Sequence, residues 1–206
     1  MIIGLTGSMA AGKSTVSKML KEKGFFIVDA DRIAHEVLHD PAIILLLASA
    51  FGAEIIGSDG EIDRRALAAK AFSVEGGVKR LNGITHPAIY NSMIESAHAA
   101  ESDFPAVVLD APLLIESGLH RECDTVWLVC ANIETRYARI MNRDGLTRAE
   151  ARQRLSNQMP QWRKKRYADA LIANDGGIDE LRVSVDAAIA ELSLRSRGSR
   201  IDTSNN

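Results

Sequence analysis

Cysteine is scarce in this 206-residue chain: Cys123 and Cys130 are the only two. Two are a poor basis for the disulfide framework of a small secreted domain or for a zinc site. Cys130 lies in an apolar, strand-like run and reads as a small core residue. Long apolar runs are missing too. The longest, residues 42–48, is far too short to span a bilayer. No basic-then-apolar leader precedes the first apolar stretch, so the expected compartment is the cytoplasm. Charge of one sign is also lacking. A net charge of -2 gives no general reason for affinity to nucleic acid or to a membrane surface. Internal repeats and low-complexity segments are absent. What remains is a chain long enough for one α/β domain with a helical insertion.

The most informative stretch is Gly7-Ser8-Met9-Ala10-Ala11-Gly12-Lys13-Ser14, which fits the phosphate-loop pattern G-x-x-x-x-G-K-[ST]. Its context is right. Ile2 to Thr6 reads as a buried strand, and Thr15 to Lys23 as a helix with Val16, Met19 and Leu20 on one face. Gly7 and Gly12 can take positive φ, and they leave no side chain between main chain and ligand. Loop amides and the helix N-terminus then face phosphate oxygens, so Gly7, Ala10, Ala11, Gly12, Lys13, Ser14 and Thr15 form the candidate ATP cradle. Lys13 is expected to reach the β- and γ-phosphates, and Ser14 to offer a hydroxyl to Mg²⁺.

Four further apolar runs read as strands: residues 25–28, 106–109, 125–130 and 171–173. Continuous apolar strands with helices between them imply a doubly wound parallel sheet, with ligands at the carboxyl ends of the strands. Asp29 and Asp110 both close strands at that rim. Asp110 has the position of a Walker B carboxylate and is a candidate for holding Mg²⁺, in part through water. Between the second and third strands lies a helical insertion, about 41–103. Helices are expected at 41–51, at 63–72 and at 75–100, the last broken near His86-Pro87. Such an insertion is too long for a plain connection and can grip a second substrate or merely pack.

Asp29-Ala30-Asp31 admits two readings. In extended backbone both carboxylates face one side, and one can take a proton from an attacking hydroxyl. Alternatively Asp31 is the N-cap of a helix over 32–38. Further on, ten basic residues crowd into about thirty positions, from Arg136 to Arg166. Arg136, Arg139 and Arg143 share a helical face by their spacing. They form either a solvated surface or a lid, about 139–166, whose guanidinium groups meet phosphate oxygens. Glu116 reads as a first-turn helix residue. The polar end, from Arg195 on, reads as a frayed tail, with 197–206 flexible.

Taken in order, Thr6 to Thr15, Asp29-Ala30-Asp31, His86-Pro87, Pro112-Leu113-Leu114-x-Glu116, Arg139 with Arg143, Gln158, Lys164 and Ala168-Asp169-x-x-Ile172-x-Asn174-Asp175-Gly176 resemble dephospho-coenzyme A kinases. The resemblance covers roughly residues 2–191. It implies a P-loop NTPase-type core (about 1–40 and 104–195), a coenzyme A-binding insertion and a lid within one domain over 1–196. ATP and Mg²⁺ are the expected cofactors, and small molecules the expected substrates of a monomer or weak homo-oligomer. Carried over by residue, Asp31 resembles the base beside the acceptor 3′-hydroxyl, and Arg139 resembles a lid arginine that contacts ATP. Lys13 and Arg139 are expected to stabilise charge on the transferring group, and Arg143 to bind ATP. One departure stands out. The family loop commonly reads Thr-Gly-Gly-x-Gly-Ser-Gly-Lys-Ser, whereas Ser8, Ala10 and Ala11 replace its second Gly, third Gly and Ser here. Ala10 is the sharpest change, because a Cβ disfavours positive φ.

Other readings stay open on the residues alone. Shikimate, gluconate and nucleoside monophosphate kinases share loop, lid and size. A GTPase is disfavoured by the missing Asn-Lys-x-Asp, and a transport ATPase by the missing glutamate after Asp110. A non-catalytic nucleotide-binding module would need no lid.

Overall fold

The computed structural model describes residues 1–201, with side chains described through residue 192. In chain order, the first elements are strand β1 (Ile2–Gly7), helix α1 (Lys13–Glu22) and strand β2 (Phe26–Asp29). Four helices follow: α2 (Ala30–Val37), α3 (Pro41–Phe51), α4 (Arg64–Ser73) and α5 (Gly77–Ala100). Then come β3 (Val107–Asp110), β4 (Thr125–Cys130), α6 (Ile133–Asp144) and α7 (Arg148–Ser156). The short α8 (Gln161–Lys164), β5 (Ala170–Ala173) and α9 (Ile178–Ile201) complete the order. Helix α9 therefore runs on through the polar stretch that composition reads as tail. Residues 202–206 lie outside the described residues.

The chain divides into two compact units, Met1–Ile27 with Glu101–Asn206, and Val28–Ala100. The first unit holds most of a five-stranded sheet of order β2-β3-β1-β4-β5. β1 lies parallel between β3 and β4, with Leu5 opposite Asp110 on one side and Trp127 on the other. All six residues of β1 are buried, as a central parallel strand requires. Alternation along the strands sorts the core. Ile3, Leu5, Val108, Trp127 and Val129 pack in one cluster with Val16 and Leu20 of α1 and Leu181 and Val185 of α9. On the other face Gly4 sits so close to Leu114 and Cys123 that a Cβ would lie 2.6 Å from Leu114 Cδ2.

Both cysteines are free thiols. Cys130 is buried, as its strand position leads one to expect. Burial, aided by the neighbouring Asp124 and Glu122, pushes the Cys123 thiol up to about 12 from 9.0. Cys123 is therefore expected to stay unmodified by Ellman's reagent at pH 8 until the protein unfolds, which a spectrophotometric time course at 412 nm checks. The sign for stability follows from the raised value. Below pH 9 the thiol is neutral in both states; between about 9 and 12 the unfolded chain alone loses the proton, so stability falls as pH rises.

The second unit is helical and starts earlier than the expected 41. The reason is Ile33 and Val37, four residues apart on α2, both buried where α2 packs on α5. Asp40 caps α3 through Ala42 N (2.8 Å), with Pro41 in the first turn. Asp63 caps α4 through Arg65 N and Ala66 N. A turn at residues 57–60 closes with Gly60 N donating to Gly57 O, 3.1 Å. The expected break at His86-Pro87 is absent: α5 continues through Pro87. A proline forfeits one bond and crowds the carbonyl four residues earlier. That residue is Gly83, whose surroundings are open and whose backbone adjusts without a side chain to move. Thr85 Oγ1 also donates back to Leu81 O, 3.1 Å, a bond that eases a helix into curvature. Among the described residues no single helix is long and apolar enough to cross a membrane.

Candidate active site

β1 ends at Gly7, and α1 begins at Lys13, so the five residues between them form the phosphate loop. Gly12 takes positive φ, 94°, and caps α1. Gly7 keeps strand geometry, and its smallness serves a close approach. A Cβ there would stand 3.2 Å from Val129 O and 3.4 Å from Val129 Cβ. The second positive φ belongs instead to Ala10, at 61°, the one non-glycine residue so placed among those described. Ala11 N closes the turn on Ser8 O, 3.0 Å. Ser8, where the resembling loops have glycine, buries a hydroxyl without a hydrogen-bond partner.

The loop is held from outside by side chains more than a hundred residues away. Arg136 Nε donates to Met9 O (3.0 Å), Arg139 Nη1 to Ala10 O (3.3 Å) and Asn174 Nδ2 to Ala11 O (2.7 Å). Gln158 Oε1 accepts from Met9 N, 3.0 Å. Arg139 Nη2 also donates to Asn174 O, 3.0 Å. Arg136 is 7% exposed, and burial lowers its pKa below the ordinary arginine value. The i, i+3 spacing of Arg136 and Arg139 gave the signal that these two act together. Nothing in the spacing showed that they reach loop carbonyls. Arg143, assigned to the same face, turns away: its side chain is 62% exposed and forks onto Asp144 at 2.8 and 2.9 Å. Asp144 also accepts from Arg154, 2.7 Å, and these cations hold its carboxyl below the usual range.

Lys13 Nζ pairs with Asp110 Oδ1 at the end of β3. Asp110 is 4% exposed, so its charge depends on such partners. Ser14 lies exposed in the first turn of α1. In the helical unit, the extended geometry expected for Asp29-Ala30-Asp31 does not persist, since α2 starts at Ala30. The cap is Asp29, not Asp31. Asp29 Oδ1 accepts from Asp31 N (2.8 Å) and Arg32 N (3.2 Å). The Asp31 carboxylate, exposed in the first turn, is thereby left out of the cap.

Part of the basic run is not a surface at all. Lys164 is fully buried, donating to Pro112 O (2.7 Å) and pairing with Glu116 Oε1 (3.0 Å). Thr6 Oγ1 shares that Pro112 carbonyl, 3.3 Å. Glu116 is thus an ion-pair partner in a turn rather than a first-turn helix residue. Removing it strands a buried ammonium. Glu116→Ala is expected to cost about 2–3 kcal/mol in urea unfolding, toward the low side for a buried pair because Glu116 itself is partly exposed. Lys164→Met, which removes the buried charge as well, is expected to cost less.

A glycine loop between the central strand and its helix, with a lysine opening that helix and an acidic residue ending the adjacent strand, is the arrangement of a P-loop NTPase-type nucleotide-binding protein. The fold of shikimate kinase from Bacteroides thetaiotaomicron is similar, with a TM-score of 0.52 at 16% identity over 94% of this chain and 98% of that one. The dephospho-CoA kinase family model matches residues 1–180. Dephospho-CoA kinase of Geobacter metallireducens is 45% identical over 189 residues, 91% of this chain and 94% of the relative. Dephospho-CoA kinase from Campylobacter jejuni superposes with a TM-score of 0.75 at 29% identity, covering 95% and 98% of the two chains. The chain belongs to the dephospho-CoA kinase family.

Proposed function

We propose that this chain moves the γ-phosphoryl group of ATP to the 3′-hydroxyl of dephospho-coenzyme A, giving coenzyme A and ADP, the last step of coenzyme A synthesis. The observation that carries the reading is the family match over residues 1–180, which includes the loop, Lys13 and Asp110. On this reading residues 28–100 grip dephospho-coenzyme A, and the stretch from Arg139 to Arg166 is the lid that closes over ATP. The substrates are small molecules, met in the cytoplasm by a monomer or weak homo-oligomer.

Lys13 exchanges the Asp110 carboxylate for β- and γ-phosphate oxygens when nucleotide arrives, and Arg139, already bonded to the loop, adds a second cation. Arg143 must leave Asp144 to reach ATP. Asp31 orients the acceptor hydroxyl and takes its proton. The donors fit Mg²⁺: Ser14 offers a hydroxyl and Asp110 a carboxylate, both hard oxygen ligands, Asp110 partly through water. Mg²⁺ when bound neutralises charge on the phosphate oxygens.

Coupled ADP release with ATP and Mg²⁺ tests the reading, with dephospho-coenzyme A run beside shikimate, gluconate, AMP and CMP. Turnover with dephospho-coenzyme A alone is expected. Turnover with a different acceptor alone would keep the kinase and overturn the substrate.

A further inference from the structure

We propose that Arg136 is a positioning residue for nucleotide binding, which holds the phosphate loop in a conformation that Ala10 disfavours. This rests on the reading above that the loop binds the phosphates of a nucleotide. Ala10 sits at φ 61°, where an L-residue with a Cβ is strained and glycine is not. A dihedral is set by the two peptide planes that flank it. Arg136 Nε holds the Met9 carbonyl and so the plane before Ala10; Arg139 Nη1 holds the Ala10 carbonyl and so the plane after it. Together they clamp both sides of the strained residue.

The clamp also aims the cradle. No peptide among the described residues is cis. In a planar trans peptide the carbonyl of one residue and the N–H of the next point opposite ways. Carbonyls of Met9 and Ala11 tied outward, to Arg136 and Asn174, therefore turn the N–H groups of Ala10 and Gly12 to the other side of the loop. Were Ala10 to relax to negative φ, its flanking planes would rotate and that aim would be lost. Burial of a guanidinium at 7% exposure is costly, and its bond to Met9 spans 127 residues. The buried cation offsets the backbone strain that alanine brings to a position where the resembling loops carry glycine.

The test is a double-mutant comparison read by calorimetric titration with ADP, which needs no acceptor. Arg136→Met in the natural loop is expected to raise the Kd for ADP about tenfold, the size of the left-handed penalty for an L-residue. In an Ala10→Gly background the same change is expected to raise Kd less than about threefold, since glycine holds positive φ unaided. Arg136→Lys, which keeps a donor, is expected to lose less than Arg136→Met. The KM for the acceptor is expected to stay level throughout. Equal losses in the two backgrounds would overturn the proposal, because Arg136 would then act on the nucleotide or on the fold at large. If Arg136→Met is unfolded at 25 °C by circular dichroism, Arg136→Gln carries the same comparison. Absence of ADP binding by the unsubstituted chain would overturn the nucleotide reading itself.

Discussion

Lys13→Ala is expected to lower kcat for phosphoryl transfer by about a thousandfold. The reason is position. Lys13 opens α1 directly after Gly12, the last residue of the loop proposed to take the phosphates. As the γ-phosphoryl group leaves ADP, negative charge moves toward the bridging and equatorial oxygens, and a fixed cation there is worth about 3–4 kcal/mol. The substitution has a second effect, which must be kept apart from the first. Lys13 pairs with Asp110, and that carboxylate is 4% exposed. Removing the ammonium takes an ion-pair partner from that buried carboxylate and is expected to lower the thermal midpoint as well. Steady-state kinetics well below that midpoint, with circular dichroism to show the variant folded, separate the two. A folded Lys13→Ala protein with kcat within tenfold of the natural chain would remove Lys13 from the chemistry.

Asp31→Asn is expected to lower kcat by about 10² to 10⁴, the usual range for a lost general base, with the KM for ATP little changed. The structure makes this an unusually clean substitution. Asp29, through Asp31 N and Arg32 N, caps α2, and both of those are backbone donors that asparagine at 31 retains. Stability is expected to fall by no more than about 0.3–1 kcal/mol, the value of a carboxylate beside a helix N-terminus. Asp29→Ala provides the contrast. It removes the cap and is expected to cost about 1 kcal/mol in urea unfolding. The two substitutions thus separate the cap at Asp29 from the base proposed at Asp31. An Asp31→Asn enzyme turning over at the natural rate would eliminate Asp31 as the base.

Much of this was legible along the chain. The loop pattern, the strand before it and the Val16, Met19, Leu20 face of α1 depend on neighbours three to six residues apart, and each appears where expected. The starts of α3 and α4 also fall where expected, near residues 41 and 63, and the structure adds the caps Asp40 and Asp63 that hold the next few amides. The misreadings fall where local rules compete. Pro87 was expected to end a helix, but packing along α5 and the pliant Gly83 keep it intact. Asp31 was a candidate cap because the helix was expected to start two residues late. Both Gly7 and Gly12 had the freedom for positive φ, yet beside Gly12 the strained position fell to Ala10.

Sequence alone was enough to establish the phosphate loop, a parallel α/β core with a helical insertion, and the family resemblance, because these rest on order and short-range spacing. The partners across distance came only with tertiary structure. Arg136, Arg139 and Asn174 on three successive loop carbonyls, Gln158 on Met9, and Lys164 buried against Glu116 join segments from 48 to 163 residues apart. A run of basic residues looks the same in one dimension whether it is solvated or buried. Only the folded backbone decides which guanidinium finds a carbonyl, which finds Asp144, and which ammonium must be paired inside the protein.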